Sequence, residues 1–445
     1  MELSIVVLQF FLSLSILVIL HEFGHFLPAR IFKVKVEKFY LFFDPFFSLF
    51  KIKKGDTEYG VGWLPLGGYV KLSGMVDESF DTEALKQPVQ DHEFRAKKAW
   101  QRLIIMLGGV IVNFLLGFFL FAMIFWAYGE EYIPAENVNT GIYADSLGKE
   151  LGLMTGDKIL SVGVATFDEF NPGFLVRAIA LNDAKTIEVE RNGIKQVIPV
   201  EERFVDELTR HSNKNNTLFS MRVPFIVATV SPEGPAGQAG MLPGDQVVGI
   251  DSVAMSFIDE ITPFLKSNPS STFSFQIVRN EVPMNLTVVT KEDGLIGVGL
   301  TNPVEIFGTS RREYTLVQAF PAGVNKGVTF LSDQIKAFGQ MFKGKIKASE
   351  SLGGFATIGG LFPKKFNWER FWTVTAILSL ILGFMNLLPI PALDGGHVMF
   401  LIWEVVTGRK VSDKVMEVAT TIGFILILGL VVYANGLDIM RIFGK

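Results

Sequence analysis

Leu3-Ser4-Ile5-Val6-Val7-Leu8-Gln9-Phe10-Phe11-Leu12-Ser13-Leu14-Ser15-Ile16-Leu17-Val18-Ile19-Leu20 runs without a charge straight into His21-Glu22-Phe23-Gly24-His25. The apolar stretch is long enough to cross a bilayer as a helix. On a helix, residues four apart share a face, so both imidazoles can reach one zinc ion while Glu22 stands beside it as a proton acceptor. Ionisable groups at this depth cost about 2 to 3 kcal/mol each near the bilayer centre and read as functional by default. A chance HExxH would more often fall on a solvated helix.

Working outward, the chain has 445 residues, 49% of them hydrophobic and 19% charged. That is too apolar for an ordinary soluble protein and too charged to lie wholly in a membrane, so several domains are expected. Four segments can span: Leu3–Leu20 running on through the motif, 103–128, 371–390 and 415–433. The start lacks the basic region and cleavage site of a removable signal peptide, so the first span is expected to be retained. Lysines and arginines cluster after the first span (Arg30, Lys33, Lys35, Lys38, Lys51, Lys53, Lys54), before the second (Arg95, Lys97, Lys98, Arg102) and between the third and fourth (Arg409, Lys410, Lys414). The positive-inside rule puts those loops in the cytoplasm and both termini outside, together with the long insert from Gly129 to Trp368. A net charge of −4 with no basic stripe argues against nucleic acid as a partner. With no cysteine in the chain, any metal is held by His and carboxylate.

Five histidines exist, and His21 and His25 make the motif. A third ligand is sought in Asn386-Leu387-Leu388-Pro389-Ile390-Pro391-Ala392-Leu393-Asp394-Gly395-Gly396-His397. Its prolines interrupt the third span and its glycines permit tight turning, so irregular backbone is expected there, tolerated only against protein or a watery cavity. Asp394 offers the carboxylate. A His, His, Asp set leaves the fourth tetrahedral position open to water, with Glu22 placed to take its proton. Standing alone, Asp394 would read as an Asp-Gly turn closing a helix; the HExxH elsewhere in the chain shifts the reading to a ligand. His397, a loop histidine, is left out of the set.

HExxH in the first span together with a late NxxPxPxLDG resembles the site-2 protease family of intramembrane zinc metalloproteases. Gly109-Val110-Ile111-Val112-Asn113 is similar to the family's GxxxN pattern, and Glu58-Tyr59-Gly60 through Gly67-Gly68-Tyr69-Val70-Lys71 resembles its membrane-reentrant β-hairpin. The insert adds a repeat, Leu151-Gly152-Leu153-Met154-Thr155-Gly156-Asp157-Lys158-Ile159 and Ala239-Gly240-Met241-Leu242-Pro243-Gly244-Asp245-Gln246-Val247, which looks like the GLxxGDxI element of PDZ domains. These features cover nearly the whole chain and resemble the RseP branch, the bacterial regulator-of-sigma-E proteases.

The resemblance implies one zinc ion per chain on His21, His25 and Asp394, with Glu22 as catalytic residue. It places Asn386 where the family holds substrate near the metal, and Asn113 near the active site. For Asn113, plain hydrogen bonding between helices is an equal reading. Strands at 59–64 and 69–72, turning at Gly67 and Gly68, would offer substrate an edge for strand addition, since a helix hides its peptide bonds in its own hydrogen-bond ladder. One departure from the family's proteobacterial members is Leu41-Phe42-Phe43-Asp44-Pro45-Phe46-Phe47, where they often carry a glycine-containing stretch. The first PDZ-like repeat continues Ser161-Val162-Gly163-Val164 and lacks the usual Asp-Gly.

The expected architecture is a polytopic α-helical membrane protein with four transmembrane helices, a reentrant β-hairpin and two α+β PDZ-like domains. Its parts are an N-terminal membrane half (1–128, hairpin about 57–75), PDZ-like domains at 129–220 and 221–306, amphipathic helices at 307–368 resting on the outer leaflet or against the PDZ pair, and a C-terminal membrane half (369–445). The resemblance further implies a protease of the bacterial inner membrane, with the termini and PDZ domains on the periplasmic side and the active site toward the cytoplasm. Its substrates would be single-pass membrane proteins already trimmed outside, such as anti-sigma factors, and remnant signal peptides. A membrane-anchored PDZ scaffold with a vestigial metal site is the alternative; the intact Glu22 speaks against it, because structural zinc needs no general base.

Overall fold

The computed structural model describes residues 2–65, 67–75, 88–210, 218–347, 349 and 352–443. Met1, Leu66 of the expected hairpin turn and His211 lie outside the described residues. The chain divides into two compact units: Met1–Gly129 with Glu313–Gln334 and Leu352–Lys445, and Glu130–Arg312 with Ile335–Ser351.

In the first unit, four helices among the described residues are long and apolar enough to cross a membrane: Glu2–Ile31, Ala99–Tyr128, Trp368–Leu387 and Lys414–Phe443. The first continues beyond His25 to Ile31, so the HExxH motif lies within the helix and not at its end. The third stops at Leu387, two residues before Pro389, because the ring of a proline disfavours helical backbone in the residue ahead of it. After the break a further helix, Asp394–Thr407, begins on Asp394 itself. The Asp-Gly pair therefore opens a helix where it would be expected to close one.

The spans touch where glycines let them. A Cβ on Gly24 would strike the Gly108 carbonyl, and one on Gly108 would strike Gly24. Gly117 accepts Leu380 of the third span. The helix Leu316–Phe342 closes through Gly323 and Gly327 on Ala122 and Phe118 of the second span. In the region expected to carry amphipathic helices, this helix is packed through its middle, with Phe330 and Leu331 joining Leu120, Ile124 and Leu380.

Between the first two spans lies a four-stranded sheet of β1 (Val36–Leu41), β2 (Phe43–Lys54), β3 (Thr57–Leu64) and β4 (Tyr69–Leu72), in the order β2-β3-β1-β4. This corrects the simple hairpin over 57–75. The tight hairpin is β2 with β3, turning at Gly55, whereas β4 passes β3 to pair with β1, Tyr40 opposite Tyr69. β1 takes an interior place because a bulge after Val36 lets it bury both faces, Val36 beside Leu72 on one and Tyr40 stacked on Tyr69 on the other.

The second unit contains two modules built alike. In the first, Ile142–Ala144 pairs with Phe219–Met221 beside a sheet ordered 194–199, 186–191, 158–162, 165–166, with the helix Pro172–Ala180. In the second, Val227–Val230 pairs with Val298–Leu300 beside a sheet ordered 253–254, 246–250, 272–279, 282–289, with the helix Ile258–Ser267. Each has its own apolar core, the first centred on Phe219, Leu175 and Val189, the second on Phe275, Val247 and Ile261. The two echoing Gly-Asp sequences do the same work. Asp157 receives Arg191 at 2.7 Å and the Met154 N–H at 2.8 Å; Asp245 receives Arg279 at 2.7 Å and the Leu242 N–H at 2.8 Å.

Candidate metal centre

His21 and His25 face the same way because they stand one helical turn apart, and both side chains are buried at 9% and 7% exposure. The imidazoles need a flat surface to lie against. Gly109 of the second span provides it, since a Cβ there would fall 2.6 Å from His21 Cε1. His25 Nδ1 donates to the Ile105 carbonyl at 2.9 Å, which fixes its proton on that nitrogen and turns the Nε2 lone pair inward. His21 Nδ1 lies 3.0 Å from the fully buried amide of Asn113. The Asn113 oxygen is otherwise unpaired; facing Nδ1–H it gains a donor and leaves His21 Nε2 with its own inward lone pair.

Asp394 completes the group from the start of its helix. Its Oδ2 stands 3.3 Å from His21 Nε2 and 3.3 Å from His25 Nε2, while the two Nε2 atoms are 3.3 Å apart. Such a triangle is one face of a tetrahedron whose centre lies about 2.0 Å from each corner, the zinc–imidazole distance. Asp394 Oδ2 has no hydrogen-bond donor although it is buried. Three lone pairs turned toward one point repel one another unless a cation stands between them, so the donor set fits a zinc ion. Among the described residues, His21, His25 and Asp394 are the group placed to share a metal. His397, one turn beyond Asp394, is not part of it.

The remaining predicted residues surround this triangle. Glu22 is 8% exposed. A Cβ on Gly68 would fall 3.1 Å from Glu22 Cγ and 2.7 Å from the Tyr40 carbonyl, so the backbone of the Gly67-Gly68 segment runs directly beside Glu22. That segment joins β3 to β4 and is not a hairpin tip. Asn386 Nδ2 lies 3.2 Å from His21 Nε2, on the metal side of the ring, whereas Asn113 lies behind it. The loop that carries Asp394 is held from several sides. Gly395 and Gly396 pass so close to Leu388, Ile390 and Pro391 that a side chain on either would collide. Gly423 of the fourth span closes on Pro391. Ala392, with φ of 91°, adopts a backbone conformation that non-glycine residues rarely take, the kind of strain that persists only where surrounding contacts impose it.

Sequence reasoning did not reach the Ile105 carbonyl, because a backbone acceptor carries no side-chain signature. It also passed over Gly24 and Gly108, which set how closely the first two spans approach.

Comparison with known proteins agrees with the site. The profile of peptidase family M50 matches residues 9–430. Regulator of sigma-E protease RseP of Escherichia coli K12 is 27% identical over 457 residues, covering 98% of each chain. RseP of Salmonella typhimurium is 26% identical over 456 residues, covering 97% of this chain and 98% of its own. Regulator of sigma E protease of Haemophilus influenzae is 25% identical over 449 residues, covering 98% of each. With a profile match over nearly its full length, long apolar helices and a His-His-Asp cluster, the chain belongs to peptidase family M50, the site-2 protease family of multi-pass membrane zinc metalloproteases.

Proposed function

We propose that this protein cleaves the transmembrane segments of single-pass membrane proteins after a first cut outside the membrane, as in anti-sigma-factor signalling, and that it also accepts remnant signal peptides. The observation that carries the reading is the 3.3 Å triangle of His21, His25 and Asp394 with Glu22 beside it, set within an apolar span. In this reading those three residues hold one zinc ion, and zinc bound there would supply a Lewis acid that makes water acidic enough to be deprotonated near neutral pH. Glu22 takes the proton from the attacking water and hands it to the departing amide nitrogen. Asn386 orients the scissile carbonyl through its amide N–H, and Asn113 keeps His21 in one tautomer. The Gly67-Gly68 backbone, unencumbered by side chains, receives the substrate as an extended strand next to Glu22.

The lysine and arginine distribution supports a topology with both termini and the PDZ-like modules outside and the metal centre toward the cytoplasm. The resemblance to RseP supports the bacterial inner membrane and a gating role for the modules, which would exclude substrates that still carry bulky outer domains.

The test uses full-length protein in lipid with a panel of single-pass anti-sigma stubs lacking their outer domains. Wild type should release a fragment whose mass maps the cut inside the membrane segment. Glu22→Gln and chelator-treated protein should release none, and added zinc should restore the treated wild type. Stoichiometric zinc with no cut in any stub would instead favour a membrane-anchored PDZ scaffold.

A further inference from the structure

The metal centre draws its ligands from segments nearly the whole chain apart, and something must set the height at which they meet. Apolar helix faces do this poorly, because one residue of sliding moves a side chain by about 1.5 Å, several times the tolerance of about 0.2 Å in a metal–ligand distance. Hydroxyl and amide pairs do it well, since a polar group left unpaired between apolar helices is penalised.

Four buried polar side chains, Gln9 and Ser13 ahead of His21 and Thr375 and Ser379 ahead of Asn386, make such pairs. Ser13 and Thr375 are both fully buried, and their hydroxyl oxygens lie 3.0 Å apart. Gln9, one turn before Ser13 and also fully buried, donates to the Pro363 carbonyl at 2.8 Å. Ser379, one turn after Thr375, donates to the Asn113 carbonyl at 2.7 Å. The first span therefore carries Gln9, Ser13, Leu17, His21 and His25 at intervals of four, all buried, with the polar pairs at one end and the ligands at the other. The third span carries Thr375 and Ser379 along the helix that ends beside Asn386.

We infer that Ser13 and Thr375, supported by Ser379, are positioning residues for the metal centre: their hydrogen bonds set the axial register at which the third span delivers Asn386 and, past the proline break, Asp394 to the two imidazoles. Ser379 adds the second span to the same alignment, because the residue whose carbonyl it holds is the one whose amide meets His21. The inference rests on the proposed zinc chemistry of His21, His25 and Asp394. A role limited to gluing helices together would stabilise the bundle without favouring one metal geometry.

The experiment measures zinc affinity of the full-length protein by competition with a chelator, alongside the thermal midpoint of the metal-free form. Thr375→Val should weaken zinc binding about tenfold, the scale of lost outer-shell support. Thr375→Ser, which keeps the hydroxyl, should stay within about twofold. Ser13→Ala should match Thr375→Val, and the double variant should be no worse than either, as expected when both remove one shared bond. A lowered midpoint with unchanged zinc affinity in Thr375→Val and Ser13→Ala would overturn the inference, as would additive losses in the double variant. If Thr375→Val fails to fold, Ser13→Ala decides on the same readout. Absence of cleavage by wild type, with the zinc effects intact, would sink the protease reading and leave the positioning inference supported.

Discussion

Two buried carboxylates, each next to a glycine in sequence, behave in opposite ways. Asp245 in the second PDZ-like module has every acceptor filled. Arg279 reaches both its oxygens at 2.7 Å, the Leu242 N–H adds a bond at 2.8 Å, and the same guanidinium reaches the Gly240 carbonyl at 2.8 Å. Asp157 repeats the arrangement with Arg191 and Met154. Asp394, by contrast, faces two imidazole nitrogens with an oxygen that receives no donor. A carboxylate whose charge is neutralised by the chain is part of the fold; one whose charge is left over is fitted for a cation. The Gly-Asp and Asp-Gly dipeptides alone do not separate these cases, and the partners do.

The largest effect should come from breaking the open side of the comparison. Asp394→Ala should reduce bound zinc, read by metal analysis, from one per chain to near zero and abolish cleavage. Retention of full zinc and activity would show that a different residue is the third ligand. Next comes the closed side. Arg279→Ala leaves Asp245 buried without its partner and should cost the second module about 3 to 5 kcal/mol, visible as early unfolding of its strands by hydrogen exchange. Zinc content should not change in that variant. Arg191→Ala should do the same to the first module, and a much smaller loss there would mean that the repeat shares geometry without sharing energetics.

A smaller effect is expected behind the imidazole. Asn113→Ala should weaken zinc binding about 10-fold to 100-fold while Glu22 and the three ligands stay in place. Unchanged affinity would reduce Asn113 to a bond between helices. The mildest test is pH. Burial pushes the Asp245 carboxyl up, but Arg279 and the Leu242 N–H outweigh it and hold the group below the ordinary carboxylate range. A carboxyl depressed in the folded state contributes its stability above the unfolded value of about 4, and that contribution fades as pH falls from there through the folded value. Thermal midpoints of the second module should therefore drop between pH 4 and lower values in wild type, and the drop should be shallower in Asp245→Asn.

Much of the site was legible in sequence because its chemistry demands particular side chains at particular spacings. His21, Glu22 and His25 announce themselves on an apolar helix, and Asp394 follows once a third ligand is sought. The four spans were legible from hydropathy, with ends shifted by a few residues where Pro389 stops one helix and Ile31 prolongs another. The sheet was not. Lys35 and Lys38 made β1 look like a basic loop, although Val36 and Tyr40 are fully buried, one on each face, with Lys38 lying over the Tyr40 ring, and without β1 the later strands could be paired only with each other. The helix beginning on Asp394 was hidden as well, because glycines at its first turn suggest an ending. What fixes His25, a carbonyl of Ile105, belongs to the backbone and leaves no mark in the sequence.

The distance along the chain between the halves of the metal centre bears on when the enzyme can work at all. His21 and Asn386 touch across 365 residues, and Asp394 comes later still. A nascent chain makes its HExxH helix first and then the sheet, the second span and both PDZ-like modules before the proposed third ligand, Asp394, exists. Throughout synthesis the growing polypeptide is an incomplete chelator, with two imidazoles and no carboxylate to close the site. In the proposed reading, cleavage cannot begin until the segment carrying Asp394 has been made and has docked, so up to that point the protein is its own zymogen.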